Sequence, residues 1–144
     1  MKKYHQMQSK SSVEKIDVLK RRASRIKKIR KYFEKQNVLE VDTPILSEKA
    51  VSDIHIESIS AIVNNKQNFL HTSPEFCMKR ILAMCSADIY QICKVFRDHE
   101  KGSLHSPEFT MVEWYRMNFT LQNIINDTCQ LISLILTNNQ NKLI

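Results

Sequence analysis

Residues 93–116 read CKVFRDHEKGSLHSPEFTMVEWYR. Residues 88–97 and 107–117 are rich in β-branched and aromatic side chains, and a charged loop separates them. The pattern predicts a long β-hairpin. Side chains alternate along a strand, so Phe109, Met111, Glu113 and Tyr115 share one face. Thr110, Val112 and Trp114 share the other, which reads as core. The Phe109 face mixes aromatic rings with a carboxylate, a chemistry suited to stacking a base and holding an ammonium group. Arg97 ends the first strand beside the loop. A guanidinium fixed there can make paired hydrogen bonds to phosphate oxygens. The plainer reading of Phe109 and Tyr115 as core aromatics leaves Glu113 between them unexplained. Arg97 also reads as a surface ion-pair partner, and His105 as a bystander in the loop.

Upstream, Leu19, Ala23, Ile26, Ile29 and Phe33 recur at three- and four-residue steps. They predict an amphipathic helix over 17–36, with Asp17 as N-cap or first-turn acid and Asn37 as C-cap. Residues 38–41 read as a short strand that Thr43-Pro44 ends. Residues 45–55 read as a polar loop. Residues 56–63 and 69–72 read as strands around an Asn64-Asn65-Lys66 turn. Ser73-Pro74-Glu75 opens a helix to Cys85, with serine at the cap and proline in the first turn. Glu75 is either a cap acid favoured by the helix dipole or a ligand for a substrate amine. Residues 121–136 form a last apolar helix. Residues 1–16 read as a basic leader, 17–137 as the folded domain and 138–144 as a loose tail. The order of elements is α+β with an antiparallel sheet, not alternating βαβ.

The chain has 144 residues and 42% hydrophobic residues, enough for a real core. No apolar run reaches the roughly 18 residues of a membrane span. The start lacks an apolar signal segment, so a cytoplasmic location without a membrane is expected. Cys77, Cys85, Cys93 and Cys129 form no C-x-x-C pair, so reduced thiols are expected and no metal site. One glycine, Gly102, excludes glycine-rich phosphate loops. A nucleotide would have to be held by side chains on a sheet. The net charge of +7 divides into +10 over residues 1–37 and −3 over 38–144. The basic helix reads as a solvated face, or as an attraction for nucleic acid or another acidic partner.

The hairpin segment resembles motif 2 of the class II aminoacyl-tRNA synthetases, the lysyl subgroup in particular. LEVDTPILSEKAVSDIHI (39–56) resembles motif 1 and its sequel in the same subgroup. HTSPEFCMKRIL (71–82) and FRDHEKGSLHSPEFTMVEWYR (96–116) are most similar to lysyl-tRNA synthetase homologues that modify elongation factor P. The resemblance covers roughly residues 17–135. It implies an antiparallel class II catalytic fold flanked by helices. It also implies ATP-dependent activation of (R)-β-lysine to an aminoacyl-adenylate, then transfer to a lysine of elongation factor P. By carry-over, Arg97 contacts the α-phosphate and Phe109 stacks on adenine. Asp98, His99, Glu100, His105 and Ser106 surround the nucleotide. Ser73, Pro74, Glu75, Glu113 and Tyr115 line the amino-acid pocket. The motif 1 helix, with Pro44, would build a homodimer.

Three departures from the family pattern accompany the resemblance. Motif 2 usually reads Phe-Arg-x-Glu, but His99 stands at the fourth position, with Glu100 next. Asparagine is usual where Ser106 stands. The chain stops after motif 2, so motif 3 and most magnesium ligands are expected outside it. Two alternatives follow. One is a catalytic fragment of a lysyl-tRNA synthetase. The motif 1 helix begins within about 17 residues, which leaves no room for an anticodon-reading domain and makes tRNA an unexpected partner. The other is a catalytically dead dimerisation or binding module.

Overall fold

The computed structural model describes residues 12–99 and 102–136. Most of the expected leader, the tail and Glu100 lie outside the described residues. The chain divides into two compact units, residues 1–36 with 120–144, and residues 37–119.

The first unit pairs two helices, α1 (Ser12–Glu34) and α3 (Leu121–Leu136). Helix α1 begins at Ser12, so Asp17 lies inside it and is not its cap. Glu14 in the first turn and Lys31 in the last both suit the helix dipole. Asn37 follows with φ of 55°, the left-handed conformation that asparagine tolerates at a helix end. Helix α3 spans the expected residues. The Thr120 hydroxyl accepts the Asn123 N–H at 3.2 Å, satisfying one of the free donors of its first turn. Ile29, Phe33 and Leu131 are buried. The Tyr32 hydroxyl donates to the Asp127 carboxylate, and Asp127 is itself buried. Lys28 Nζ reaches the Leu134 carbonyl at 3.3 Å.

The second unit carries two three-stranded sheets. The larger places β5 (Ile89–Phe96) between β1 (Leu39–Glu40) and β6 (Glu108–Tyr115). Strands β5 and β6 pair antiparallel from Ile89↔Tyr115 to Phe96↔Glu108, the expected hairpin. Strand β1 runs parallel to β5, so the sheet is not wholly antiparallel. The smaller sheet is antiparallel in the order β2 (Leu46–Ser47), β4 (Lys66–Leu70), β3 (Ser60–Val63). Asn64 and Asn65 both have positive φ, as a two-residue hairpin between twisted strands requires. Strand β3 starts at Ser60, later than expected, because Glu57 pairs with Asp98 instead. Helix α2 (Glu75–Cys85) begins at Glu75, with Pro74 before it. Ser73 gives no cap to a first-turn donor beyond Glu75, whose N–H its hydroxyl accepts at 3.4 Å.

Ile89, Tyr90, Gln91 and Val95 of β5 are buried, as is Met78 of α2. The expected core face of β6 is not one. Thr110 is exposed, and Val112 and Trp114 are half-buried. Burial on this hairpin concentrates on β5 because it is the central strand of its sheet.

Candidate active site

Every residue of the site lies within the 37–119 unit. Register puts Gln91 opposite Glu113, Cys93 opposite Met111 and Val95 opposite Phe109, so one sheet face carries all six. At the end of β5, the Arg97 N–H bonds the Pro107 carbonyl at 2.9 Å, which closes the hairpin. Arg97 Nε donates to the buried Thr72 carbonyl at 3.3 Å. Its guanidinium carbon sits 5.3 Å from the centre of the Phe109 ring, a cation–π contact. The arginine is thus held from two sides.

Beside it opens a cleft of about 670 Å³. Arg97 lines one part, and Ser73, Glu75, Glu113 and Tyr115 line others. Segment 51–56 supplies a further wall through Val51, Asp53 and Ile56. Glu113 accepts the Tyr115 hydroxyl at 2.8 Å. Burial pushes the Glu113 carboxyl above its ordinary range, and the nearby Glu75 charge adds to this. The Tyr115 bond, Lys79 and His71 oppose the shift. The Tyr115 hydroxyl is raised as well, by burial and by its bond to Glu113. Glu75 pairs with Lys79 at 2.5 Å, one helical turn on. Burial, reinforced by Glu113, lifts the Cys93 thiol to about 11. The cleft is therefore bipolar, bringing the fixed Arg97 cation into one space with the carboxylates of Asp53, Glu75 and Glu113. Such a site accepts a molecule that is anionic at one end and cationic at the other.

The other candidates from sequence fall elsewhere. Pro74 is fully buried and does not line the cleft. Phe109 lies under the Arg97 guanidinium, behind the cleft wall. Asp98 and His99 line a second hollow of about 410 Å³ with residues 53–57. His99 Nδ1 lies 2.6 Å from Glu57 Oε2. His105 and Ser106 are exposed in the hairpin loop, and neither lines the cleft. His105 packs against Gly102, where an added Cβ would meet its Nδ1 at 2.6 Å.

Three residues were not anticipated. Asp53 borders both hollows and Glu57 reaches His99. Asp53 sits in the segment read as a polar loop and Glu57 at the start of the segment read as a strand, so charge was the one signal of a site at either. Gln91 is buried and accepts the Thr43 hydroxyl at 3.0 Å, while its Nε2 has no hydrogen-bond partner. A glutamine between Tyr90 and Ile92 in a mostly apolar strand was its signal. Among the described residues, no group of three or more metal-ligating side chains comes together. No helix among them is long and apolar enough to cross a membrane.

The sequence family described as tRNA synthetases class II (D, K and N) matches residues 2–143. The chain belongs to this family. The catalytic fold of class II synthetases agrees with the sheets and helices above. Asparaginyl-tRNA synthetase from Pyrococcus horikoshii, solved with asparaginyl-adenylate, superposes with a TM-score of 0.74. That match has 20% identity and covers 82% of this chain and 27% of the other, so it speaks for the fold alone. Among curated class II relatives, the elongation factor P--(R)-beta-lysine ligase of Mannheimia succiniciproducens is 46% identical over 127 residues. The match covers 84% of this chain and 39% of the relative. The ligase of the same name from Haemophilus influenzae strain Rd is 46% identical over 122 residues, covering 81% and 38%. The chain spans well under half the length of these relatives.

Proposed function

We propose that this chain provides the ATP and amino-acid half-sites of an adenylate-forming ligase that attaches (R)-β-lysine to a lysine of elongation factor P. The bipolar cleft carries the reading: Arg97 faces the same space as Glu75, Glu113 and Tyr115. An amino acid and ATP join there in one chemical step. A carboxylate oxygen attacks the α-phosphorus of ATP, and the bond to pyrophosphate breaks. Negative charge grows on the α-phosphate oxygens in the transition state, and a fixed guanidinium stabilises it. Glu113 and Glu75 bind the ammonium groups, with the Tyr115 hydroxyl orienting Glu113. Phe109 supports Arg97 through its cation–π contact. Magnesium, when bound with ATP, would neutralise phosphate charge. The relatives' names favour (R)-β-lysine over α-lysine and elongation factor P over tRNA.

Calorimetry of ATP binding in magnesium buffer, with and without (R)-β-lysine or lysine, tests the reading. ATP should bind saturably, and (R)-β-lysine should tighten it more than lysine does. Arg97→Ala should abolish this binding. Lys66→Ala, at the exposed first position of β4, should leave it intact. Equal loss in both variants would remove Arg97 from the site. A folded chain that takes up no ATP would make it a non-catalytic binding module of the class II fold.

A further inference from the structure

Gln91 places an unmade donor beside the residues of the ligand cleft. It is 1% exposed in β5, and its Oε1 accepts the hydroxyl of Thr43, itself buried. Its Nε2 has no hydrogen-bond partner. An amide donor left unmade in the interior costs more than an ordinary hydrogen bond gains, and leucine at this position would avoid that cost. Register puts an acceptor within reach. Gln91 is the cross-strand partner of Glu113 on one face of the sheet, and such partners have Cβ atoms about 5 Å apart. Glu113 accepts the Tyr115 hydroxyl, and a carboxylate has room for further donors. Cys93, two residues on and on the same face, senses both side chains. Burial and then the Glu113 charge raise its thiol to about 11, and the Gln91 side chain opposes them. Such a thiol is neutral in neutral solution and a weak acceptor. Asp42 also acts on it, more weakly, and is exposed. Glu113 is thus the half-buried anion that can answer the Gln91 donor.

We infer that Gln91 is a positioning residue for substrate binding, and that its Nε2–H closes onto the Glu113 carboxylate when a substrate ammonium seats there. The inference rests on the adenylate-forming reading, in which Glu113 binds an ammonium group of the amino acid. The two contacts support each other. A bound ammonium holds Glu113 ionised, and an ionised carboxylate is a stronger acceptor than a neutral acid. The amide in turn fixes the carboxylate from the β5 side, while the Tyr115 hydroxyl fixes it from its own strand. The ammonium then meets an anion held by two donors. Thr43 anchors the carbonyl end of the amide, so little freedom is lost when the other end closes. The donor is unmade in the free chain and made in the complex. Its cost therefore falls on the free chain alone, and its recovery adds to affinity for the amino acid.

Proton–nitrogen NMR of the isotope-labelled chain reads the donor directly. The side-chain amide pair of Gln91 is identified by its absence from Gln91→Met. Saturating (R)-β-lysine should move that pair downfield and slow its exchange with water, and ATP alone should do neither. Calorimetry measures what the contact contributes. The double variant Thr43→Val with Gln91→Met replaces both hydrogen-bonding partners by apolar groups of similar shape, so it should melt no lower than the parent. Its affinity for (R)-β-lysine should fall about tenfold, and its affinity for ATP far less. Gain in stability with loss of ligand is the signature of a donor reserved for the complex. Amide resonances that stay in place at saturating (R)-β-lysine would overturn the inference. So would a double variant that binds (R)-β-lysine as tightly as the parent, whatever its melting temperature, or one that loses ATP and (R)-β-lysine equally. An unmodified chain that takes up no (R)-β-lysine would overturn the adenylate-forming reading, and this inference with it.

Discussion

Glu113 is the residue in which stability and function pull against each other. Burial raises its carboxyl above the ordinary value of 4.5. Between 4.5 and the raised value, the folded chain holds a proton that the unfolded chain has released. Folding is therefore favoured below 4.5 and loses this contribution as pH rises through the folded-state pKa. At neutral pH the site carries a partly desolvated charge, and its neighbour Glu75 makes that charge less favourable. A substrate ammonium would relieve both costs, which is why the binding role fits the position. Glu113→Gln keeps an acceptor for the Tyr115 hydroxyl and removes the charge. The variant should melt higher than the parent at neutral pH, and the gap should close as pH falls toward 4.5. Paired thermal melts across that range measure it. A gap that widens in acid would mean the carboxylate is stabilised in the fold, contrary to its burial. Ammonium binding should be lost in the same variant.

Elements were legible in proportion to how local their causes are. Helix α3 follows from a long apolar period and a Thr120 cap, both written in consecutive residues. The β5–β6 hairpin follows from alternation on each side of a charged loop. From it came the shared placement of Arg97, Glu113 and Tyr115 around one cleft. Segment 51–57 was read as loop and strand because its structure is made at a distance, by pairing of Glu57 with Asp98. The parallel alignment of β1 with β5 is likewise a tertiary choice with no local mark. The same limit hid the acidic second hollow and the partner of His99. Helix α2 shows what tertiary burial adds to local pattern. Met78 is fully buried, whereas Met84, on the same helix, is 79% exposed. Met78→Ala should cost about 2–5 kcal/mol through lost burial and the cavity left behind. Met84→Ala should change stability by less than about 0.5 kcal/mol. Urea unfolding of the two variants compares them directly, and similar midpoints would mean that Met78 is not a core residue.

For the whole chain, charge and burial separate along the sequence. The first 37 residues carry +10, while the hairpin and its surroundings belong to a segment of −3. Residues 14–25 of α1 are exposed without exception, and Ile16, Val18 and Leu19 are among them. A stretch of helix with no covered side chain has only its own backbone bonds and side-chain pairs to hold it, which is marginal in water at this length. Strand β5 is the opposite case, paired on both edges and buried at Ile89, Tyr90, Gln91 and Val95. Amide hydrogen exchange should therefore be graded. Amides of 89–95 should exchange only through global opening, and those of 14–25 at least about a hundredfold faster, through local fraying. Equal protection would mean that something covers α1 in solution. The motif 1 resemblance supplies a candidate, a second copy of the chain. Repeating the exchange over a range of protein concentrations decides the point. Protection of 14–25 that fades on dilution would identify self-association, because only binding to another chain depends on concentration. Protection that is high and concentration-independent would place the cover within the chain itself and would overturn the exposed helix. Slow exchange confined to β5 and its partner strands would leave α1 as a basic helix whose apolar residues remain open to solvent.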